Sequence, residues 1–418
     1  LDREKITNEN KIVYLKKTDS GYQLFRNGSP FHIQGAAGDS HLKDLHDAGG
    51  NTIRVYDTIN LASTLDEVHK NNLAAIVDIP IPKFRKDHSA YINEDHNQAL
   101  IKTVEGLVNT YKNHPALLVW NLGNELDYPL VLKKNNFIKV FNNLIELIHK
   151  LDPNHPVSTS LIPSRTQTLS LHLHSFKIDM IGFNAFGNLK TIKPLISKIS
   201  YITPALPYYV SEWGNSGPWE KETTNWRAPI EPTSTKKAEQ YLDQYHGFIS
   251  NNPQSLGNLV FYWGQKQETT HTWFSIFDEI GRKSQIYYDI ESIWKFNSNY
   301  TFRTPQINYM LVDKKGAQSN LIFKPGVIKK AEILLLEAPN PSYEYKWEIY
   351  VEGWNYNQTE KENKPKQVFS SNQNSKDSTI TFKVPSIEGP YRIYVYVYDS
   401  KGNFSTANTP FYVLNADE

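Results

Sequence analysis

Two glutamates end apolar runs in this sequence. Glu125 closes the run in ALLVWNLGNELDY (residues 116–128), and Glu212 follows another in YYVSEWG (residues 208–214). A carboxylate at such a point can open a helix, where the helix dipole favours negative charge. It can also do chemistry. A glycosidic bond is broken by a pair of carboxyl groups: one protonates the leaving oxygen, and the other attacks the anomeric carbon or activates a water. For Glu212 the plainer role is a buried ion pair with Arg54. That contact also suits a nucleophile, because a neighbouring cation favours the ionised form. Glu125, beside Trp120 and Asn124, has the more apolar setting expected of a general acid. Asn124 is positioned to bond a hydroxyl next to the reacting carbon, and Trp263 to lie under that sugar.

The elements that must position these residues alternate. Short apolar runs near 31–36, 52–56, 74–79, 117–120, 157–160, 180–184, 208–211 and 259–263 read as eight strands. Between them lie amphipathic stretches such as SAYINEDHNQALIKTVEGLVNTYKN and NNFIKVFNNLIELIHKL, with apolar residues at three- and four-residue spacing. This pattern predicts a (β/α)8 TIM barrel. A doubly wound sheet is disfavoured because IQGAAGDSH lacks the G-x-G-x-x-G spacing. Before the first barrel strand, YQLFRNGSPFHIQG reads as a hairpin turning at Asn27-Gly28. After about Tyr300, INYMLV, KAEILLLEA, YEYKWEIYVEG, STITFKVP and YRIYVYVYD read as strands without helices, an all-β Ig-like sandwich. The expected domains are residues 1–298, the barrel with its hairpin, and 299–418, the sandwich. NYNQTEKENKPKQ reads as a mobile polar loop.

In such a barrel, functional side chains stand at the carboxyl ends of the strands. The second strand carries Arg54, then Tyr56 and Asp57; the third ends at Asp78; the fourth at Asn121, Asn124 and Glu125. The sixth ends at Asn184 and Phe186, the seventh at Glu212 and Trp213, the eighth at Trp263, Gln265 and Gln267. The fourth and seventh strands lie on opposing parts of the ring, so Glu125 and Glu212 can converge. Trp213, Trp219 and Trp273 are either core or sugar platforms. Gln265 and Gln267 read as hydroxyl readers, residues 268–282 as a cleft wall, and Asp57 and Asp78 as supporting or substrate-binding groups. His172 and His174 alternate on the strand-like stretch LSLHLHSF, but a metal would need a third ligand, and none stands at suitable spacing.

WNLGNE, VSEWG, NTIRVYD and FYWGQ together resemble clan A of the glycoside hydrolases, retaining enzymes on (β/α)8 barrels. The resemblance covers about residues 12–295. The lead-in FRNGSPFHIQG is similar to that of family 2 barrel domains, and NTIRVYD to fungal-type β-1,3-glucanosyltransferases. The resemblance implies that Glu125 is the acid/base, with Asn124 beside it, and Glu212 the nucleophile, with Arg54 and Trp263 as further matching positions. It also implies a tyrosine or histidine on the sixth strand to contact the nucleophile. Here that strand reads IGFNAFG, so Asn184 departs from the pattern and Tyr56 or Tyr262 is left to supply the contact. Sandwiches that precede the barrel in ordinary family 2 enzymes are absent here, which argues against a standard β-galactosidase or β-mannosidase architecture.

Composition narrows the partners. The 418 residues carry 45 basic and 44 acidic side chains, so nothing points to nucleic acid or an anionic membrane. There is no cysteine, hence no disulfide framework or thiolate metal site. No apolar run reaches the length of a membrane span. With 9 Trp, 25 Tyr and 19 Phe, the chain has aromatic rings to spare for stacking on sugars. The expectation is a monomeric, cofactor-free, metal-free retaining glycosidase acting on a polysaccharide or oligosaccharide, an endo-β-glucanase on β-1,3-glucan first. An exo-acting β-glycosidase, a transglycosylase and a non-catalytic carbohydrate-binding barrel remain as alternatives. The expected location is extracellular, periplasmic or at the cell surface, the start Leu-Asp-Arg-Glu reading as a mature or trimmed end. The sandwich is expected to brace the barrel rather than to bind glycan.

Overall fold

The structure, a computed structural model, describes residues 10–415 except 20, 85–87, 134, 205, 251, 298–300, 339, 353–362 and 372–374. Two compact units emerge: Leu1–Gly214 with Gln244–Trp263, and Asn215–Asp243 with Gly264–Glu418. The expected domain boundary at 298/299 lies outside the described residues, as does most of the polar loop at 355–367.

The first unit opens with the antiparallel strands β1 (Val13–Thr18), β2 (Gly21–Arg26) and β3 (Ser29–Phe31). Asn27 and Gly28 join the last two with φ of 50° and 75°, the geometry an Asn-Gly hairpin turn favours. Eight parallel strands then close a barrel: β4 (Ile33–Ala37), β5 (Thr52–Val55), β6 (Ala74–Ile79), β7 (Leu117–Asn124), β8 (Val157–Leu161), β9 (Met180–Asn184), β10 (Tyr208–Trp213) and β11 (Ser255–Val260). Buried on both faces, they read as continuous apolar runs. Val13, Leu15 and Leu24 of the hairpin share a core with Ile33, Ile76, Leu118, Met180, Tyr209 and Leu259, which closes the amino-terminal end of the barrel. Polar side chains are thereby left for the opposite end.

The intervening helices start where the sequence provides caps. Asn93 accepts from the backbone of Asp95 and His96 ahead of helix Glu94–Tyr111, and Asn135 from Ile138 ahead of helix Asn136–Leu151. The latter buries Phe137, Ile138, Phe141, Leu144, Ile145 and Ile148, a stripe at helical spacing.

Two local expectations are corrected. LSLHLHSF is not strand-like: Arg165–His174 is a helix, opened by Ser164 capping Gln167. His172 and His174 are engaged by the carbonyls of Thr168 and Val131. Among the described residues no group of three or more His, Cys, Asp or Glu could hold a metal ion. The eighth barrel strand also starts earlier than its apolar run. Gly257, with φ of 139°, lies so close to β4 that a Cβ would meet Ile33 O at 2.0 Å, and this polar, glycine-bearing lead-in hides the strand.

In the second unit, β12 (Ile307–Val312), β14 (Ile328–Leu335) and β17 (Thr379–Lys383) form one antiparallel sheet. The other sheet has the order β13 (Ile322–Phe323), β19 (Phe404–Val413), β18 (Gly389–Tyr398), β15 (Glu344–Val351), β16 (Gln367–Ser370). Both contribute to a single core, Met310, Ile333 and Phe382 from the first and Trp347, Val395 and Phe411 from the second, so the unit is a sandwich. Strand β19 escapes a sequence reading because STANTP looks like turn material, yet it pairs with β18 over ten positions. Among the described residues no helix is long and apolar enough to cross a membrane.

Candidate active site

The carboxyl ends of β5, β6, β7, β9 and β10 deliver one hydrogen-bonded cluster, all of it within the first unit. At its centre is Arg54, without exposed surface. Its Nε and NH2 donate to the two carboxylate oxygens of Asp78 at 2.9 and 2.7 Å. NH2 also reaches Asn124 Oδ1 at 3.0 Å, while NH1 reaches Asn184 Oδ1 at 3.1 Å and Glu212 Oε1 at 3.0 Å. Burial opposes the guanidinium charge, but Asp78 above all, with Glu212, holds its pKa well above the ordinary arginine value. A planar fork that meets acceptors on four side chains at fixed angles is a task for arginine and not lysine.

Asn184 joins the two halves of the site. Its Oδ1 accepts from Arg54 and from Ser211 Oγ at 2.7 Å; its Nδ2 donates to Asn124 Oδ1 at 2.8 Å and to Glu125 Oε1 at 3.1 Å. With both amide atoms engaged twice, Asn184 buttresses the acid/base candidate and does not act as an open reader of substrate. Because Arg54 and Asn184 are both donors to Asn124, its oxygen is the inward atom. The Asn124 NH2 has no partner among the described residues and remains to meet a hydroxyl.

Glu212 is 5% exposed, and its Oε1 receives a second donor, the Tyr56 hydroxyl at 2.8 Å. The contact to Glu212 expected from the sixth strand is thus made by Tyr56, directly after the second. Burial, reinforced by the neighbouring Glu212 charge, raises the Tyr56 pKa well above the usual tyrosine range, so the phenol stays protonated and donates. Tyr262 is pushed up to about 12 by burial, with Asp39 and Asp57 adding to it.

Glu125 is not a helix-opening residue. It follows β7 in an irregular segment with φ of 51°, its backbone N–H held by Ser160 O at 2.8 Å, and the next helix begins only at Asn136. Lys83 Nζ stands 3.5 Å from Glu125 Oε2. Beneath the carboxylates, Asn121 ties Asp78 (2.8 Å) to Ser158 and Ser160 of β8. Asn121 was expected at this strand end, whereas Lys83, Ser158, Ser160 and Ser211 carry no such mark in the sequence. The one available signal was serine and threonine filling VSTSL, a strand buried on both faces.

The other candidates fall elsewhere. Trp213 and Trp263 have no exposed surface, and their indole N–H groups are bonded to Asn258 Oδ1 and His41 O. They pack the barrel and offer no open platform. Asp57 is an exposed loop residue whose side chain caps Ile59, and Asp78 is a buried anchor for Arg54. Gln265, Gln267 and Trp273 belong to the second unit. Trp273 is buried there with its N–H on Ser216 O, while Trp219 is 54% exposed.

Residues 56–218 match the model for the TIM barrel domain of the family 2 glycosyl hydrolases. No curated protein sequence matches the chain. Among solved structures it is similar to Bacteroides uniformis β-glucuronidase 2 covalently bound to cyclophellitol-6-carboxylate aziridine, at 13% identity and a TM-score of 0.52, over 96% of this chain and 48% of that one. It is similar to the GH2 β-galacturonidase from Eisenbergiella tayi bound to galacturonate, at 16% and 0.55, and to the β-D-glucuronidase of Dictyoglomus thermophilum, at 15% and 0.53. The latter two matches each cover 70% of this chain and 55% of the other. The chain thus spans about half the length of these proteins, and the likeness is one of fold. Over residues 56–218 its barrel is similar to the TIM barrel domain of the family 2 glycosyl hydrolases.

Proposed function

We propose that this barrel is a retaining glycosidase acting by double displacement on β-linked glycans. The observation that carries the reading is the unbroken path Glu125–Asn184–Arg54–Glu212, which ties together carboxylates from the ends of β7 and β10. In the first step a Glu212 oxygen attacks the anomeric carbon, the glycosidic C–O bond breaks, and Glu125 gives its proton to the leaving oxygen. In the second, Glu125 takes a proton from water, the water oxygen attacks the same carbon, and the ester bond to Glu212 breaks. Tyr56 and Arg54 hold Glu212 in place, and the Asn124 NH2 is free to bond the hydroxyl beside the reacting carbon.

For the substrate we favour β-glucan, β-1,3-linked first, on the strength of the NTIRVYD resemblance. A second reading is an exo-acting β-glycosidase for an acidic sugar. It draws on relatives described as glucuronidases and a galacturonidase, and on Lys83, a cation beside Glu125 suited to a carboxylate. An extracellular or cell-surface location goes with either.

The test is a digest of β-glucan, β-mannan and β-uronide panels with the anomer of the first product read by NMR. Ladders from β-1,3-glucan support the first reading, and single acidic sugars the second. Glu125→Gln and Glu212→Gln should each abolish turnover while sugar binding persists. Wild-type rates in both variants, or an inverted first product, would sink the assignment.

A further inference from the structure

Strand pleating gives β15 and β18 of the second unit two unlike faces. Tyr345, Trp347 and Ile349, with Ile393, Val395 and Val397, enter the sandwich core. The alternate positions place Lys346, Glu348 and Tyr350 on the other face, together with Tyr394, Tyr396 and Tyr398. The three β18 tyrosines stack in sequence, at 6.4 and 6.3 Å between ring centroids. Tyr350, Tyr394 and Tyr396 are buried in a cluster packed by His271, and Tyr398 is half-buried against it.

Against this face lies a cavity of about 350 Å³, within the size range of small-molecule sites, roughly 300–1,000 Å³. Its wall includes Tyr350, Tyr396 and Tyr398 from the sheet, Gln265 and Glu279 from the segment after β11, and Gln367 from β16. All belong to the second unit. The cations at the wall are already matched. Lys346 pairs with Glu348 at 2.5 Å, Arg282 with Asp278 at 3.1 Å, and Lys364 with Glu279. Glu344, a fourth carboxylate of the wall, pairs with Lys376 at 3.3 Å, and a space whose charges are all paired in this way selects neither anion nor cation. It still offers amides, hydroxyls and spare carboxylate lone pairs beside tyrosine rings, the combination that suits a neutral ligand with many hydroxyls and apolar ring faces.

His271, 4% exposed, also lines the cavity. Its Nε2 meets the Tyr396 hydroxyl, and its Nδ1 is buried without a hydrogen-bond partner among the described residues.

We propose that this cavity is a non-catalytic binding site for one unit of a neutral glycan. The proposal does not depend on the barrel being a hydrolase.

The experiment is calorimetric titration of the full chain carrying Glu212→Gln with neutral mono-, di- and trisaccharides. The titration is repeated after adding Gln367→Trp, which fills the cavity from an exposed position, or Gln367→Ala. Thermal melts of each protein verify folding. The expected result is saturable binding that Gln367→Trp weakens at least tenfold and Gln367→Ala weakens less, with melting unchanged. In the chain that retains Glu212, Gln367→Trp should leave kcat/KM on a soluble substrate as it was. Absence of saturable binding in the parent, or equal affinity in parent and Gln367→Trp, overturns the site. Loss of sugar binding in a chain that hydrolyses nothing would leave this site standing and defeat only the hydrolase reading.

Discussion

The Tyr56 hydroxyl lies 2.8 Å from Glu212 Oε1, the same oxygen that Arg54 NH1 holds at 3.0 Å. Two donors on one oxygen fix the carboxylate in rotation. They reach it from β5 and the residue after it, not from the sixth barrel strand that usually supplies the contact in the clan.

Tyr56→Phe removes one of these donors and little volume. A hydrogen bond to a charged group is worth about 1.5–3 kcal/mol, which corresponds to roughly a 10- to 150-fold loss of kcat. The melting temperature should hardly move. Steady-state kinetics within twofold of the parent would remove Tyr56 from the mechanism.

Arg54→Lys keeps a positive charge but cannot serve Asp78, Asn124, Asn184 and Glu212 together. Leaving buried partners unpaired costs about 3–5 kcal/mol. Urea denaturation should therefore show a large loss of stability alongside loss of activity. A variant as stable as the parent would mean that the fork contributes little to the fold.

Gly182→Ala probes the site from below. A Cβ there would come 2.7 Å from Ser211 Oγ and 2.8 Å from Ser160 Oγ. Ser211 in turn holds Asn184. We expect kcat/KM to fall more than tenfold with a stability loss of about 1–3 kcal/mol, as for overpacked cores. Unchanged kinetics would show that the Asn184 amide tolerates displacement.

His271→Phe tests the acid sensitivity of the fold. Burial lowers the imidazole pKa from 6.5 to about 4, with Lys364 adding to it and Glu231, Glu348 and Glu279 opposing. Above pH about 6.5 the ring is neutral whether folded or unfolded. As pH falls toward 4, the unfolded chain takes up a proton that the folded chain refuses, so stability declines. The buried ring thus accounts for up to about 3 kcal/mol of acid sensitivity in that window. Melting temperatures from pH 7 to 4 should fall less steeply in His271→Phe than in the parent; parallel curves would refute the assignment.

The barrel was legible because parallel strands buried on both faces leave unbroken apolar runs, and because residues at strand ends must share one rim. This is why Arg54, Asn124, Glu125, Asn184 and Glu212 could be grouped from sequence. Their division of labour could not be. Whether Asn184 reads substrate or links Glu125 to Arg54 depends on which way its amide points, and its partners come from three other strands. The tryptophans stayed undecided in sequence for a related reason. Trp213, Trp263 and Trp273 are all buried with satisfied N–H groups, and a large ring carries no mark in sequence of the side it will face. Helix Arg165–His174 was obscured because its leucines alternate, although one capping serine was enough to start it.

Glu125 occupies a backbone conformation, φ of 51°, that costs an L-residue about 1–2 kcal/mol and glycine almost nothing. The chain therefore sets durability against turnover at a single position. Screens for thermal tolerance alone would drift toward glycine or asparagine at residue 125 and enrich sturdier, inert proteins. Any programme to harden this protein must select for rate at every round, because its backbone rewards discarding the residue proposed to donate the proton.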